Sequence, residues 1–163
     1  MTRLVGASAL SAAIATACTD ANGPSGPGEA IVGPEGGAVR GVGGVTVSIP
    51  PGALKEDVLI RLALVDPPPT ALPLGNEAEH FAALTPHGLT FDVPITVRVR
   101  TDRDDVRVVH HLTDPSDNTW EEITDVVSDG KSVSWQTRTF SVYATAARAD
   151  TSTSRVEHVD IAQ

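Results

Sequence analysis

Gly44-Val45-Thr46-Val47-Ser48-Ile49-Pro50-Pro51-Gly52-Ala53-Leu54 decides how this chain folds. Val45, Val47 and Ile49 alternate with Thr46 and Ser48, so an extended backbone places three branched apolar side chains on one face. Branched side chains are stiff and pack well on a pleated surface. Pro50 and Pro51 then remove two ladder donors, and Gly52 can take the positive φ of a tight turn. The stretch reads as a half-buried strand with a sharp end.

The period of two continues outward from it. In Val58-Leu59-Ile60-Arg61-Leu62-Ala63-Leu64, residues 58, 60, 62 and 64 face inward, and Ile95-Thr96-Val97-Arg98-Val99-Arg100 repeats the scheme with Arg98 and Arg100 outward. Further short strands are expected at 29–32, 37–40, 106–112, 119–123, 132–137 and 140–146, punctuated by Pro67-Pro68-Pro69, Asp114-Pro115 and Asp117-Asn118. Asp129-Gly130 between Val126-Val127 and Val133 signals a hairpin. Only 75–84 reads as helical, cut short by Pro86. No internal repeat interrupts the pattern. The expected class is all-β: an antiparallel β-sandwich, Ig-like in general architecture, with roughly 8–10 short strands.

The chain has 163 residues, a formal charge of −9 and one cysteine. That length suits one domain with tails. The acidic balance argues against a nucleic-acid partner. A lone cysteine rules out an intramolecular disulfide framework and multi-thiolate metal sites. Its position is more telling than its number. Residues 1–17 carry Arg3, no acidic residue, and an apolar and small-residue run from Leu4 to Ala17. About 14 residues cannot span a hydrocarbon core of roughly 30 Å, so the segment reads as a secretory signal. Ile14-Ala15-Thr16-Ala17-Cys18 resembles a bacterial lipobox, with Cys18 as the lipidated residue. Ala15-Thr16-Ala17 is also an A-x-A pattern, the mark of an ordinary signal peptidase site. Acylation is preferred because it removes a thiol that would otherwise stay unpaired in an oxidising compartment. The expected organisation is a signal at 1–17, a Gly- and Pro-rich tether at 18–28, a sandwich at 29–147 and a polar tail at 148–163. A late strand through Val156, Val159 and Ile161 is the alternative for that tail.

Two blocks of the sandwich resemble the ZU-five domain of ankyrins, netrin receptors and zonula-occludens proteins. The first is Gly36-Gly37 followed by 44–54, including Ile49, Pro50, Gly52 and Ala53. It continues in Thr85-Pro86-His87-Gly88-Leu89-Thr90-Phe91 and Pro94. The second is Trp120 with Thr139-Phe140-Ser141-Val142-Tyr143-Ala144. The resemblance covers about residues 36–146 and implies a β-sandwich without a cofactor, acting as a protein-interaction module. It also raises a second activity, because some relatives cleave themselves between Phe and Ser with a histidine assisting. The matching pair here is Phe140-Ser141, with His110 or His111 as the base; Thr139 stands where self-cleaving members often carry histidine.

Other chemistry is thinly signalled. No histidine pair has helical ligand spacing, His80 stands in a separate short segment, and adjacent His110 and His111 point to opposite faces of a strand. The spacing therefore predicts no zinc site. Asp114, Asp117, Asn118 and Glu121 gather oxygens for calcium, as do Asp102, Asp104 and Asp105, although turns favour such residues on their own account. No phosphate loop or Gly-x-Ser-x-Gly context occurs. A carbohydrate-binding sandwich would need exposed aromatics, for which Trp120, Trp135 and Tyr143 are the candidates. The sequence thus predicts a non-enzymatic protein of the cell envelope, tied to a membrane by its N-terminal lipid. Its expected partner is another envelope protein, with no small-molecule substrate.

Overall fold

The computed structural model describes residues 28–67, 72, 76–114 and 119–148. Cys18, the tether and the candidate strand at 156–161 lie outside them. Eleven strands occur among the described residues: β1 Glu29–Val32, β2 Gly37–Arg40, β3 Val45–Ile49, β4 Val58–Val65, β5 Glu77–Thr85, β6 Thr90–Arg100, β7 Val106–Asp114, β8 Thr119–Ile123, β9 Val126–Ser128, β10 Ser132–Thr139 and β11 Val142–Ala147. They form two antiparallel sheets packed face to face, a six-stranded one in the order β1-β4-β5-β11-β7-β8 and a five-stranded one in the order β2-β3-β6-β10-β9. The all-β sandwich is therefore the fold.

Alternation explains the core directly. In the five-stranded sheet Val39, Val47, Val97 and Trp135 lie side by side in register, and Val45, Val99 and Val133 form the next inner row. Opposite them the six-stranded sheet contributes Ile60, Leu62, Leu84 and Tyr143, all buried. The Trp135 and Tyr143 rings, 5.2 Å apart, join the two layers. Burial pushes the Tyr143 phenol up to about 12. Its hydroxyl donates to the Thr139 carbonyl at 2.7 Å.

One expectation is overturned. Within the expected helix at 75–84, residues 77–84 lie in a strand, β5. Ala, Glu and Leu give this segment good helix propensity, but β4 and β11 claim its backbone groups on both sides. Its alternation is also blurred, because Phe81 and Ala82 point to opposite faces and both are buried. Phe81 belongs to a second, smaller cluster with Leu72, Leu112, Trp120, Ala144 and Ala146 on the outer face of the six-stranded sheet.

Candidate functional site

Most of the residues that carry the resemblance noted in the sequence converge on one corner. Gly36 approaches the carbonyl of Ile49 and the nitrogen of Pro51 so closely that a Cβ there would collide with both. Gly52 has φ +78° and donates its N–H to the Pro34 carbonyl at 2.7 Å. Asp92 N–H then bonds the Ala53 carbonyl at 3.1 Å, which ties this turn to the start of β6. The second block docks beside it: Gly88 N–H reaches the Phe140 carbonyl at 3.0 Å, and Phe140 N–H reaches the Leu89 carbonyl at 2.9 Å. Phe91 and Phe140 meet edge to face at 4.9 Å. Pro94 sits where the β6–β10 ladder shifts register, a place that needs no amide donor. All these residues hold chain to chain, so the motif is structural. Trp120 lies apart, against Phe81 at 6.0 Å in the outer cluster.

The would-be cleavage pair is built into the same framework. Phe140 is fully buried, and the Ser141 hydroxyl donates to the Leu112 carbonyl at 2.6 Å. Neither histidine engages that hydroxyl. His111 stacks on Tyr143 at 5.0 Å, while His110 lies on the opposite face with Nε2 at 2.9 Å from Asn76 Nδ2. Desolvation lowers the affinity of both imidazoles for a proton, opposed at His110 by Glu122 and at His111 by Glu121. Of the calcium candidates, Asp114 ends β7 and Glu121 is exposed on β8 opposite His111; Asp117 and Asn118 lie outside the described residues. Trp120, Trp135 and Tyr143 are all buried, so none of the three offers a ring face to a sugar.

A basic groove of about 760 Å³ lies on the outer face of the five-stranded sheet. Register builds it. Arg40 on β2, Thr46 on β3 and Arg98 on β6 stand side by side, and Arg100 follows opposite Ser132. Lys131, from the β9–β10 turn, completes the lining. Gly44 makes room at the rim: it has φ +83°, and a Cβ would press on Arg100 Cβ at 2.7 Å. Arg98 is paired with Asp129 at 2.7 Å, whereas Arg40, Arg100 and Lys131 have no ion pair among the described residues. Asp129 accepts N–H bonds from Lys131 and Ser132, and these donors hold its carboxyl below the usual range. Its charge is thereby spent on the turn and on Arg98. Four cations thus share one concave face of a chain whose net charge is −9. Sequence reading found the outward Arg98 and Arg100 but not Arg40 and Lys131, which arrive from other strands.

No helix among the described residues is long and apolar enough to cross a membrane. Compared with known proteins, the chain matches no family model and no curated protein.

Proposed function

We propose that this chain is a lipid-anchored, non-enzymatic protein of the cell envelope, with a ZU-five-type sandwich that serves as an interaction module. Its basic groove seats an acidic segment of another envelope protein. The observation that carries this reading is the groove itself: four cations on a rigid sheet face, three of them without an ionic partner among the described residues, within a strongly acidic chain. Such a local reversal of sign steers a complementary anionic surface and repels like-charged ones. The lipobox-like stretch ending in Cys18 supports the anchor, and the chain from there to Glu29 serves as the tether. Two or more acyl chains hold a protein at a bilayer stably, where one does not.

Mass spectrometry of the mature N-terminus tests the anchor. An acylated Cys18 is expected, and an unmodified chain beginning at or near Cys18 overturns it. A photo-crosslinking residue at Thr46, in the groove, tests the module. The expected result is a discrete adduct with an acidic envelope protein that disappears in the Arg40→Glu/Arg100→Glu double variant. An adduct of equal yield in both, or none in either, removes the groove from the interface.

A further inference from the structure

We propose a divalent transition-metal site, best suited to zinc, formed by Glu79, His80 and Asp102. Each offers one ligand atom, and the three atoms lie within 4.8 Å of one another. This inference stands independently of the anchor and the basic groove.

A local irregularity in β5 creates the grouping. Neighbouring strand residues normally point to opposite faces. Along the β5–β11 ladder, however, Thr145 pairs with His80 and Ala146 pairs with Ala78, so Glu79 is an extra residue in the register. A bulge of this kind re-aims a side chain. Glu79 and His80 consequently turn toward the same partner, the loop between β6 and β7 that carries Asp102.

The Glu79 carboxylate divides its work between its two oxygens. Oε1 accepts the backbone N–H of Asp102 at 2.7 Å and of Arg103 at 3.1 Å, which fixes the group against the loop. Oε2 is buried and has no hydrogen-bond partner, although the Glu79 side chain is only 8% exposed. A buried carboxylate oxygen without a donor is costly, and a cation is the natural complement. His80 Nε2 lies 4.0 Å from Glu79 Oε1, on the same side. Arg103, the cation next to Asp102 in sequence, is already committed: it is held by Asp105 at 2.7 Å and Glu77 at 3.1 Å. It therefore leaves Glu79 Oε2 and the Asp102 carboxylate to serve another charge. Two buried hydroxyls without partners, those of Thr101 beside Asp102 and Thr145 opposite His80, mark the same end of the sandwich as unusually polar.

The donor set narrows the metal. Calcium and magnesium prefer oxygen ligands throughout, whereas an imidazole with two carboxylates suits a first-row transition metal, of which zinc accepts both donor types. Tetrahedral zinc ligands at about 2.0–2.2 Å stand roughly 3.4 Å from one another. Closing from the present separation takes ligand-atom shifts of at most about 1.4 Å, which rotation of the exposed Asp102 side chain can help supply. Three protein ligands leave a fourth position for water or for a side chain of a bound partner.

Calorimetric titration of the chelator-treated full chain with zinc chloride tests the site, with calcium chloride as the control. One saturable zinc equivalent is expected, with markedly weaker calcium binding. His80→Ala and Asp102→Asn should each weaken zinc binding about tenfold or more, since even outer-shell partners of metal ligands cost about that much when mutated. His87→Ala, on an exposed turn, should leave it unchanged. Asp102→Asn keeps the backbone N–H that Glu79 uses, so this variant tests ligation apart from folding. A zinc-induced rise in melting temperature should accordingly appear in the parent chain and vanish in Asp102→Asn. The absence of saturable zinc binding, or binding equal in parent, His80→Ala and Asp102→Asn chains, overturns the proposal.

Discussion

The two sheets use their inner faces alike and their outer faces differently. Outside the six-stranded sheet, Phe81, Leu112 and Trp120 pack with Leu72 and the small residues Ala144 and Ala146 into a second cluster. Outside the five-stranded sheet, the corresponding surface is a row of exposed Arg40 and Arg98 with half-buried Thr46 and Ser134. One sheet is thus apolar on both faces at its centre, while the other is an ordinary half-wet sheet. The difference separates packing from charge: the covered face carries packing, and the open face carries Arg40, Arg100 and Lys131 without an ion pair among the described residues.

The largest test of that division is truncation. Phe81→Ala on the covered face should cost about 3 kcal/mol in urea unfolding, since it removes a buried ring from the small cluster. A cost below about 1 kcal/mol would mean that the outer cluster is not a true core. Acid comes next. His110 lies within the covered face, and burial holds its imidazole below the ordinary value of 6.5, with Glu122 opposing and Arg148 assisting. His111 behaves likewise beside Tyr143, with Glu121 opposing. The unfolded chain takes up these protons first, so their stability contribution is complete above 6.5 and lost as pH falls through that value toward the lower folded one. Each histidine can contribute a slope of at most about 1.4 kcal/mol per pH unit. His110→Gln should flatten the measured slope below pH 6.5; an unchanged slope would show that this ring is not buried neutral.

On the open face the effects should be smaller. Gly44→Ala forces a Cβ against Arg100 at φ +83°, and about 1–2 kcal/mol is expected from thermal unfolding. Arg98→Ala breaks an exposed pair with Asp129 and should shift stability by no more than about 0.5 kcal/mol. A larger loss there would make the open face a contributor to packing and blur the contrast between the sheets.

Sequence reading succeeded where one face is wet and stopped where both are dry. Val45, Val47 and Ile49 alternate with exposed or half-exposed neighbours, so their strand and its inner face were legible. Arg98 and Arg100 were legible as outward for the same reason. β5 was not, since Phe81 and Ala82 are buried on opposite faces and its Ala and Glu content suits a helix. The grouping of Glu79, His80 and Asp102 was hidden by the same error. A helix would have given Glu79 and His80 no common direction, and a regular strand would have opposed them; only a bulge set by pairing with β11 joins them. Arg40 reaches the groove through its pairing with Thr46, a long-range register that local pattern does not encode.

The place of β11 has a consequence for how the chain becomes a protein. This last described strand lies between β5 and β7, near the middle of the six-stranded sheet. Until residues 142–147 are available, β5 and β7 present open edges and the sheet stays in two pieces. Assembly therefore waits for the final stretch of the sandwich to leave the ribosome, and pairings between distant segments make it slow. Under the export proposed above, that delay would favour the chain, because its closing segment is the last to arrive on the far side.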